Sequence, residues 1–476
     1  MTTISRQPTI TPGGLPLLGH GLEMKRNPGR LLLSLQSGDP VTMIRLGRRP
    51  MYVVNDADLM RQVMRAPEIF ARGGPITERF RVMFGNGLGI SDGAFHRRQR
   101  RLLQPAFHRT RIIHYCSLIS ELVAARIEGW SEGETRRIER DMDELALANV
   151  TQVIFAPGTT LDQRRFMDAT GVVLGGLFRR IADTTGVLTK LPTAANRRYR
   201  ESEDYLRRTI HETIREYRAS GEDRGDLLSM MLRARDEDGS PSMSDQQIHD
   251  EVLTFFIAGS NTISNTLAWA CHEIASHPEV EKQLHEEVDS VLAGRAAEFD
   301  DVARLEYTRR VLTETLRLRT QGFFQTRMTT EDTELGGYRI PGNEAILYSF
   351  YALMHNPGIF AEPERFDPDR WLPERLTATQ RNAFMPFGAG VHGCIGETFS
   401  WTELIIVLAT IMGRWRLATV PRPTTPPKPR GDRTGVSRPS AEYTRSMFSM
   451  TAPTTPAWRM FATRIRNVLP CASCRC

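Results

Sequence analysis

Apolar residues recur at intervals of three and four positions through most of the chain between about residue 56 and residue 319, and this spacing predicts helices. The clearest helix is expected to begin after Ser244, because Ser244-Asp-Gln-Gln247 is a capping-box pattern before a long apolar stripe. The stripe continues to Ile274, and the helix should end near His277. In its middle, Ala258-Gly-Ser-Asn-Thr262 places polar residues within the apolar face, where glycine and hydroxyl groups can bend a helix and widen a groove.

Short segments rich in apolar residues predict small sheets beside these helices. Strands are expected over residues 41–46 and 51–55, around Arg327, within residues 334–342, and over residues 345–348. The predicted fold class is therefore mainly α with small β-sheets.

Composition divides the chain into three parts. A Pro- and Gly-rich lead-in covers residues 1–40, one domain covers residues 41–416, and a Pro-, Arg- and Thr-rich tail covers residues 417–476. The tail has little hydrophobic periodicity, so we expect either a disordered extension or the product of a reading-frame change near the end of the coding sequence.

The overall composition is that of a large soluble enzyme. With 476 residues, of which 40% are apolar, the chain can bury an extensive core. Its net charge of +6 comes without a nucleic-acid-binding motif, and no apolar run is long enough to cross a membrane, so we expect a cytoplasmic protein that binds no nucleic acid and is monomeric. The six cysteines do not suggest a disulfide scaffold, since Cys116 and Cys271 fall in helical patterns typical of core positions.

One cysteine lies in a loop built almost entirely from glycine and apolar residues, Phe387-Gly-Ala-Gly-Val-His-Gly-Cys-Ile-Gly396. A helix is expected to begin at Glu397, and its N-terminus favours an ionised Cys394 sulfur that can meet the face of a flat cofactor. A buried, inert cysteine is the first alternative. Zinc is the second, since His392 and Cys394 could both ligate it, but no CxxC or HxxxH pattern lies nearby to complete the site.

This loop resembles the cysteine-ligand loop of the cytochrome P-450 family of haem-thiolate monooxygenases, whose pattern is F-x-x-G-x-[RH]-x-C-x-G. The resemblance implies that Cys394 is the axial ligand of the haem iron and that Phe387, Gly388 and Gly396 contact the cofactor. It extends over about four hundred residues and implies the cytochrome P-450 fold.

Two further motifs of that family occur in the expected order. Glu314-Thr-Leu-Arg317 matches E-x-x-R, and Pro363-Glu-Arg-Phe366 matches the segment that supplies a second arginine, here Arg365. The resemblance implies a buried carboxylate–guanidinium network that supports the haem loop. A surface salt bridge is the alternative for an isolated E-x-x-R.

The resemblance also identifies cations for the haem propionates. His96 and Arg100 form an H-x-x-x-R pattern on one helix face, and Arg327 and His392 match family positions with the same role. Their neighbours Arg97, Arg98 and Arg101 match no such role and indicate a solvated basic face that could receive a partner.

The polar interruption of the long helix resembles the family's [AG]-G-x-[DE]-T segment. By this resemblance Thr262 holds bound dioxygen, while Asn261 replaces the usual acid and can orient a water but cannot carry a proton as a carboxylate would. Ser260 has an equally good interpretation as a residue that bonds its own helix backbone.

The predicted function is a monooxygenase that uses heme b and O2, with electrons from NAD(P)H through a ferredoxin reductase and a ferredoxin. Local segments resemble actinobacterial sesquiterpene oxidases, which implies a small apolar substrate of the pentalenene type. Phe255, Phe256, Phe323 and Phe324 would suit such a hydrocarbon, although each could equally be core. A fatty-acid or macrolide hydroxylase is one alternative, and a catalytically impaired haem-binding protein or sensor is another.

Overall fold

The computed structural model describes residues 6–155, 161–182, 189, 191–235, 242–419 and 463–467. Helices account for most of these residues, as the hydrophobic spacing predicts. Their bounds are α1 Gly21–Arg26, α2 Pro28–Ser34, α3 Ala57–Arg65, α4 Gly74–Phe84, α5 Gly93–Leu103, α6 Arg109–Glu128, α7 Ile138–Ile154, α8 Gln163–Ala182, α9 Ala194–Ser220, α10 Leu227–Arg233, α11 Asp245–Ser276, α12 Pro278–Leu292, α13 Glu306–Leu318, α14 Phe350–Met354, α15 Ala378–Ala383 and α16 Glu397–Met412.

The strands are short and form sheets of six, three and two strands. Their bounds are β1 Thr9–Ile10, β2 Val41–Leu46, β3 Arg49–Val54, β4 Phe70–Ala71, β5 Thr135–Arg136, β6 Gln325–Thr329, β7 Thr333–Leu335, β8 Tyr338–Ile340, β9 Ala345–Tyr348, β10 Trp415–Thr419 and β11 Thr463–Asn467. The orders are β1-β2-β3-β9-β6-β4, β10-β11-β5 and β7-β8. The predicted class, mainly α with small sheets, is confirmed.

The long helix α11 has the bounds expected from its sequence pattern. Ser244 caps it, with its hydroxyl accepting a hydrogen bond from the Gln247 N–H at 3.2 Å, and His277 ends it. The second half of the expected capping box is absent, because the Gln247 amide donates to Glu251 at 2.8 Å instead of returning to Ser244.

Helix α11 packs closely along α7. A Cβ on Gly259 would lie 2.7 Å from the Val150 Cγ2 atom, so a larger residue would push the two helices apart. Close packing against α7 therefore explains this glycine, whereas the sequence suggested a role in widening a groove.

The lead-in packs onto the domain that follows it. Leu31 and Leu32 of α2 are buried in one apolar cluster with Ile44 of β2 and Val53 of β3. Of the tail, β10 begins at Trp415 and β11 joins it to β5, while the remaining residues lie outside the described ranges. The proposed boundaries at residues 40 and 416 therefore stay predictions.

Candidate active site

The glycine-rich loop brings Cys394 to the start of α16. Gly388 and Gly390 adopt φ angles of 71° and 70°, and a Cβ on Gly390 would lie 2.4 Å from the Met64 carbonyl oxygen. The Cys394 N–H donates to the Phe387 carbonyl at 2.9 Å, and Gly396 is the N-cap of the helix. The loop is thus held in one conformation beneath the helix N-terminus.

The Cys394 sulfur is exposed, yet surrounding protein atoms are close enough to affect its ionisation. Burial raises the pKa of the thiol, the Gly396 N–H and Arg100 act in the opposite direction, and Glu397 adds to the increase. The helix N-terminus alone therefore does not ionise this sulfur as the sequence suggested. A metal cation bound to the sulfur would supply the missing positive charge.

Two side chains of α11 are exposed within an otherwise buried stretch of that helix. Ala258 and Thr262 lie one turn apart, while Phe256, Ile257, Ser260 and Ile263 around them are buried. The Thr262 hydroxyl donates to the Ala258 carbonyl at 2.6 Å. Helix α11 also packs on α16, which follows Cys394. The exposed pair therefore borders an open space in the interior of the fold.

The other two polar residues of this segment bond the helix backbone. Ser260 is buried and donates to the Phe256 carbonyl at 2.7 Å, and the Asn261 amide lies 3.4 Å from the Ile257 carbonyl. Ser260 therefore bonds its own helix backbone, which is the structural interpretation given for it above. Asn261 is half-buried and keeps its side-chain oxygen available to accept a hydrogen bond.

Helix α5 contacts the cysteine loop through two of the predicted cations. His96 Nε2 lies 3.1 Å from the Val391 carbonyl oxygen, and an Arg100 guanidinium N–H donates to the Gly393 carbonyl at 2.6 Å. The His96 and His392 rings are in contact, with centroids 4.2 Å apart and planes tilted by 59°. Helix α5 and the cysteine loop, which are far apart in sequence, are therefore brought to one place.

His392 bonds Asp92, with Nε2 and Oδ1 2.9 Å apart. Burial lowers the pKa of His392 to about 4, although the Asp92 hydrogen bond opposes this effect. Burial would raise the pKa of Asp92, but hydrogen bonds from His392 and from backbone N–H groups lower it to about 2. Asp92 is therefore charged at neutral pH and His392 is neutral.

Arg327, on β6, is 5% exposed and has only neutral hydrogen-bond acceptors among the described residues. It donates to the Thr326 carbonyl at 2.9 Å and to the Gln325 side chain at 3.4 Å. An arginine in such a place normally has a carboxylate partner. Arg327 therefore has the environment of a residue that binds an anion.

Arg72 is a further cation of this cluster that the sequence reasoning missed. It follows β4, whose pairing of Ala71 with Met328 places Arg72 beside Arg327. Burial lowers the pKa of Arg72 to about 9, and the nearby Arg327 and Arg100 contribute to this decrease. No motif marks Arg72, because only the pairing of distant strands brings it here.

These residues fit a haem. The cationic cluster consists of Arg72, Arg100, Arg327, His96 and His392. Burial lowers the pKa of both histidines, so the positive charge comes from the three arginines, against which the described residues supply the single carboxylate of Asp92. The buried His392 Nδ1 atom also has no hydrogen-bond partner in this part of the chain. The two carboxylates of a haem would balance this charge, and the Cys394 sulfur would be available to ligate its iron.

Comparison with known proteins agrees with this arrangement. The cytochrome P450 family model matches residues 9–446. This chain belongs to the cytochrome P450 family. A solved structure, the haem domain of cytochrome P450DA, matches with a TM-score of 0.79 at 26% identity and covers 98% of this chain and 99% of that one.

Curated relatives include monooxygenases of Streptomyces. Cyclooctat-9-en-7-ol 5-monooxygenase of Streptomyces melanosporofaciens is 42% identical over 87% of this chain and 90% of its own length. Pentalenene oxygenase of Streptomyces avermitilis is 38% identical over 86% of this chain and 91% of its own. The protein is a P450 monooxygenase, and its family uses haem, O2 and electrons from a redox partner.

In this P450 the E-x-x-R motif forms a buried network around one carboxylate. Arg317 donates to both Glu314 oxygens at 2.8 and 2.9 Å, and neither side chain is exposed. Trp371 and the Asp367 N–H donate to the same carboxylate at 2.9 and 3.2 Å. Arg370 contributes the second guanidinium, with its Nε atom 3.4 Å from Glu314.

The expected participation of the Arg365 side chain is therefore wrong. That side chain is exposed and lies 3.3 Å from Glu362, and only its backbone carbonyl approaches Arg317, at 3.4 Å. The short turn after residue 362 directs residue 365 outward, and the 3-10 helix of residues 368–371 then returns Arg370 to Glu314.

Two of the four phenylalanines considered for the substrate are core residues. Phe256 packs on Phe166 with ring centroids 4.5 Å apart, and Phe323 stacks on Tyr351 at 4.8 Å. Phe255 and Phe324 are half-buried. Cys116 and Cys271 are fully buried, as expected. None of the described helices is long and apolar enough to cross a membrane.

Proposed function

We propose that this P450 monooxygenase inserts one oxygen atom from O2 into a C–H bond of a neutral terpene, with heme b as its cofactor. The support for the substrate class is the likeness to relatives that act on pentalenene and on cyclooctat-9-en-7-ol, each over more than four fifths of both chains. The second name describes an alcohol, so the substrate of this chain can be a hydrocarbon or a terpene that already bears a hydroxyl group. A pentalenene-type sesquiterpene remains our specific candidate.

The side of α11 that borders the open interior supports an uncharged substrate. Phe255, Ala258, Gly259 and Thr262 are its partly or fully exposed residues, and none is ionisable. A fatty acid requires a cation for its carboxylate, and this surface offers none. An apolar molecule can therefore occupy the space without desolvating a charge.

The chain would hold haem through three sets of residues. Cys394 would ligate the haem iron, and the cationic cluster, including His96 and Arg72, would bind the two propionates. Phe387, Gly388 and Gly396 would contact the porphyrin. Bound haem supplies the iron that activates O2 for insertion into a C–H bond, and a thiolate ligand favours cleavage of the O–O bond.

Thr262 would act on the oxygen side of this cofactor. Its hydroxyl already donates to Ala258, so its lone pairs can accept a hydrogen bond from a water or a protonated oxygen. Asn261 has no ionisable proton and instead holds a water by its side-chain amide. The proton must then come from solvent through ordered water, and Thr262 fixes the end of that path.

Electrons would come from NAD(P)H through a ferredoxin reductase and a ferredoxin. Arg97 and Arg101 are exposed on α5 and line a depression of about 460 Å³ together with Val391 of the cysteine loop. An acidic carrier docked there would lie beside the Cys394 loop. Arg98 differs from its neighbours because it donates to the Ser242 carbonyl at 2.8 Å. Charge reversal in Arg101→Glu should weaken reduction by ferredoxin, with chemical reduction by dithionite unchanged.

The substrate proposal can be tested by difference spectra of the haem-loaded protein with a terpene panel, fatty acids and macrolides. We expect spectral binding and hydroxylation of a terpene alone. Tight binding and turnover of a fatty acid or macrolide without any terpene response would overturn the substrate, and no turnover of any compound would favour a haem-binding sensor.

The role of Thr262 has a matched control in the same helix. In Thr262→Ala, we expect the ratio of product formed to reduced cofactor consumed to fall severalfold, with hydrogen peroxide released instead. Ser260→Ala removes a hydroxyl of the same helix that faces the core and should leave the ratio unchanged. Equal ratios in both variants would contradict the role of Thr262.

A further inference from the structure

A tight turn near the N-terminus exposes an apolar surface. Leu17 is 76% exposed, and Ile10, Leu15 and Leu18 are each exposed by about half. These four residues lie along the outer edge of β2, because Ile10 pairs with Met43 and the turn ends in a bridge from Gly19 to Leu46. Large exposed apolar side chains grouped in this way mark a binding surface.

Hydrogen bonds hold this Leu15–Gly19 turn in one conformation. Leu15 and Gly19 exchange backbone hydrogen bonds of 2.9 and 2.8 Å, and the Gly47 N–H donates to the Leu18 carbonyl at 3.0 Å. A Cβ on Gly19 would lie 2.2 Å from the Arg45 carbonyl oxygen. Leu17 itself has a φ of 63°, which is uncommon for leucine. The backbone therefore fixes the leucines outward and leaves them no route into the core.

Basic residues surround this apolar turn. Exposed arginines are Arg45 on β2, Arg48 in the following turn and Arg49 at the start of β3, and Lys25 and Arg26 on α1 are exposed as well. None of these five side chains forms an ion pair within the described residues. The first 50 residues of the chain contain seven Lys and Arg against two Asp and Glu. The surface is thus apolar at its centre and positively charged at its border.

We propose that the Leu15–Leu18 turn and the arginines beside it bind reversibly to an anionic lipid surface. Apolar side chains that enter the headgroup region while cations contact lipid phosphates are the features of an interfacial membrane contact. Four exposed apolar side chains form too small an area for a stable protein partner, which contacts some 20–30 residues. The membrane contact does not depend on the terpene proposal, although an apolar substrate would partition into the same lipid.

Sedimentation with vesicles tests this inference on the full-length, haem-loaded protein. We expect binding to phosphatidylcholine vesicles that contain phosphatidylglycerol and much weaker binding to pure phosphatidylcholine. The double variant Leu17→Ser, Leu18→Ser should bind at least about tenfold more weakly. Arg48→Glu with Arg49→Glu should lose roughly fivefold or more for each arginine, and salt should weaken the wild type.

Matched controls distinguish binding through this surface from nonspecific binding to vesicles. Ile113→Ser removes another exposed apolar side chain, and Arg208→Glu reverses another exposed arginine, and both should bind like the wild type. Absence of binding to anionic vesicles, or equal binding by the Leu17 and Leu18 variant, would overturn the proposal. A concentration-dependent dimer in sedimentation velocity that this variant abolishes would instead identify a second copy as the occupant. The haem spectrum of each variant shows whether it is folded, so these results do not depend on substrate turnover.

Discussion

Around Glu314, one carboxylate accepts hydrogen bonds from two arginines, a tryptophan and a backbone N–H, whereas around Arg327 three arginines and two histidines share a single aspartate. Both clusters combine arginines with one carboxylate in buried or half-buried positions. The first is saturated by donors from α13 and the segment after residue 366. The second has more positive charge than the described residues neutralise.

The difference separates a structural site from a binding site. A buried charge is tolerated when its partner is also buried, so the Glu314 cluster is complete within the fold. The cationic cluster is incomplete until an anion arrives, and it adjoins the Cys394 loop through His96 and Arg100. We therefore propose that the first cluster serves folding and that the second binds haem.

The largest effect is expected when the complete cluster is broken. Glu314→Gln keeps the shape but leaves Arg317 and Arg370 without a counter-charge, so we expect a loss of about 3–5 kcal/mol in the free energy of unfolding. Chemical denaturation measures it. Glu362→Gln, at an exposed ion pair, is the control and should change stability by less than about 0.5 kcal/mol. Equal losses of stability in Glu314→Gln and Glu362→Gln would contradict the structural role of the Glu314 cluster.

The comparison is sharpened by Glu403, a buried acid that has no cation as a partner among the described residues. Glu403 accepts from the Asn149 amide at 2.8 Å, and burial raises its pKa from 4.5 to about 7. Because the pKa of Glu403 is raised in the folded state, this residue contributes fully to the free energy of unfolding below pH 4.5. That contribution is lost as the pH rises through about 7. Glu403→Gln cannot ionise, so above pH 7 it should be more stable than the wild type by up to about 3 kcal/mol.

Denaturation of both proteins from pH 4.5 to pH 8 tests this, with exposed Glu121→Gln as the control. The difference between Glu403→Gln and the wild type should grow with pH. A constant difference would mean that Glu403 does not titrate in this range.

Arg327→Met should have different effects on the haem-free and the haem-loaded protein. Without haem, removal of an uncompensated buried cation should leave stability unchanged or raise it. With haem, loss of a charge-assisted hydrogen bond of about 1.5–3 kcal/mol should speed haem dissociation roughly 10- to 100-fold. Haem transfer to a scavenging protein measures the rate.

Arg317→Met is the matched control, since it is an equally buried arginine in the complete cluster. It should destabilise both forms, because it leaves Glu314 buried with fewer donors. If Arg327→Met also destabilised the haem-free protein by several kcal/mol, the cationic cluster would be structural and our interpretation would be wrong.

The smallest effect is expected at Arg365. Arg365→Ala should change stability by less than about 0.5 kcal/mol, because its side chain is exposed and only its carbonyl approaches Arg317. Arg370→Ala removes a nearly buried donor to Glu314 and should cost about 1.5–3 kcal/mol. A larger loss of thermal stability in Arg365→Ala than in Arg370→Ala would show that the Arg365 side chain belongs to the Glu314 network.

Local patterns were sufficient for the helix α11 and for the cysteine loop. Ser244, the apolar stripe and Pro278 determine the helix through interactions between near neighbours, so the sequence predicted its bounds. The roles of Arg72 and Arg370 were not predicted, because strand pairing positions Arg72 and a 3-10 helix after a loop positions Arg370. No local sequence pattern contains either contact. The raised pKa of Cys394 could not be predicted from the sequence either, since burial by residues distant in sequence outweighs the effect of the helix N-terminus that follows the cysteine.

The absorption spectrum of the reduced protein with carbon monoxide tests haem ligation by Cys394 most directly. We expect the wild type to show the strongly red-shifted Soret band of a thiolate ligand, and Cys394→His to lose that shift while it retains haem in the cationic cluster. An unshifted band in folded, haem-loaded wild type would contradict the account, and so would a shifted band in Cys394→His.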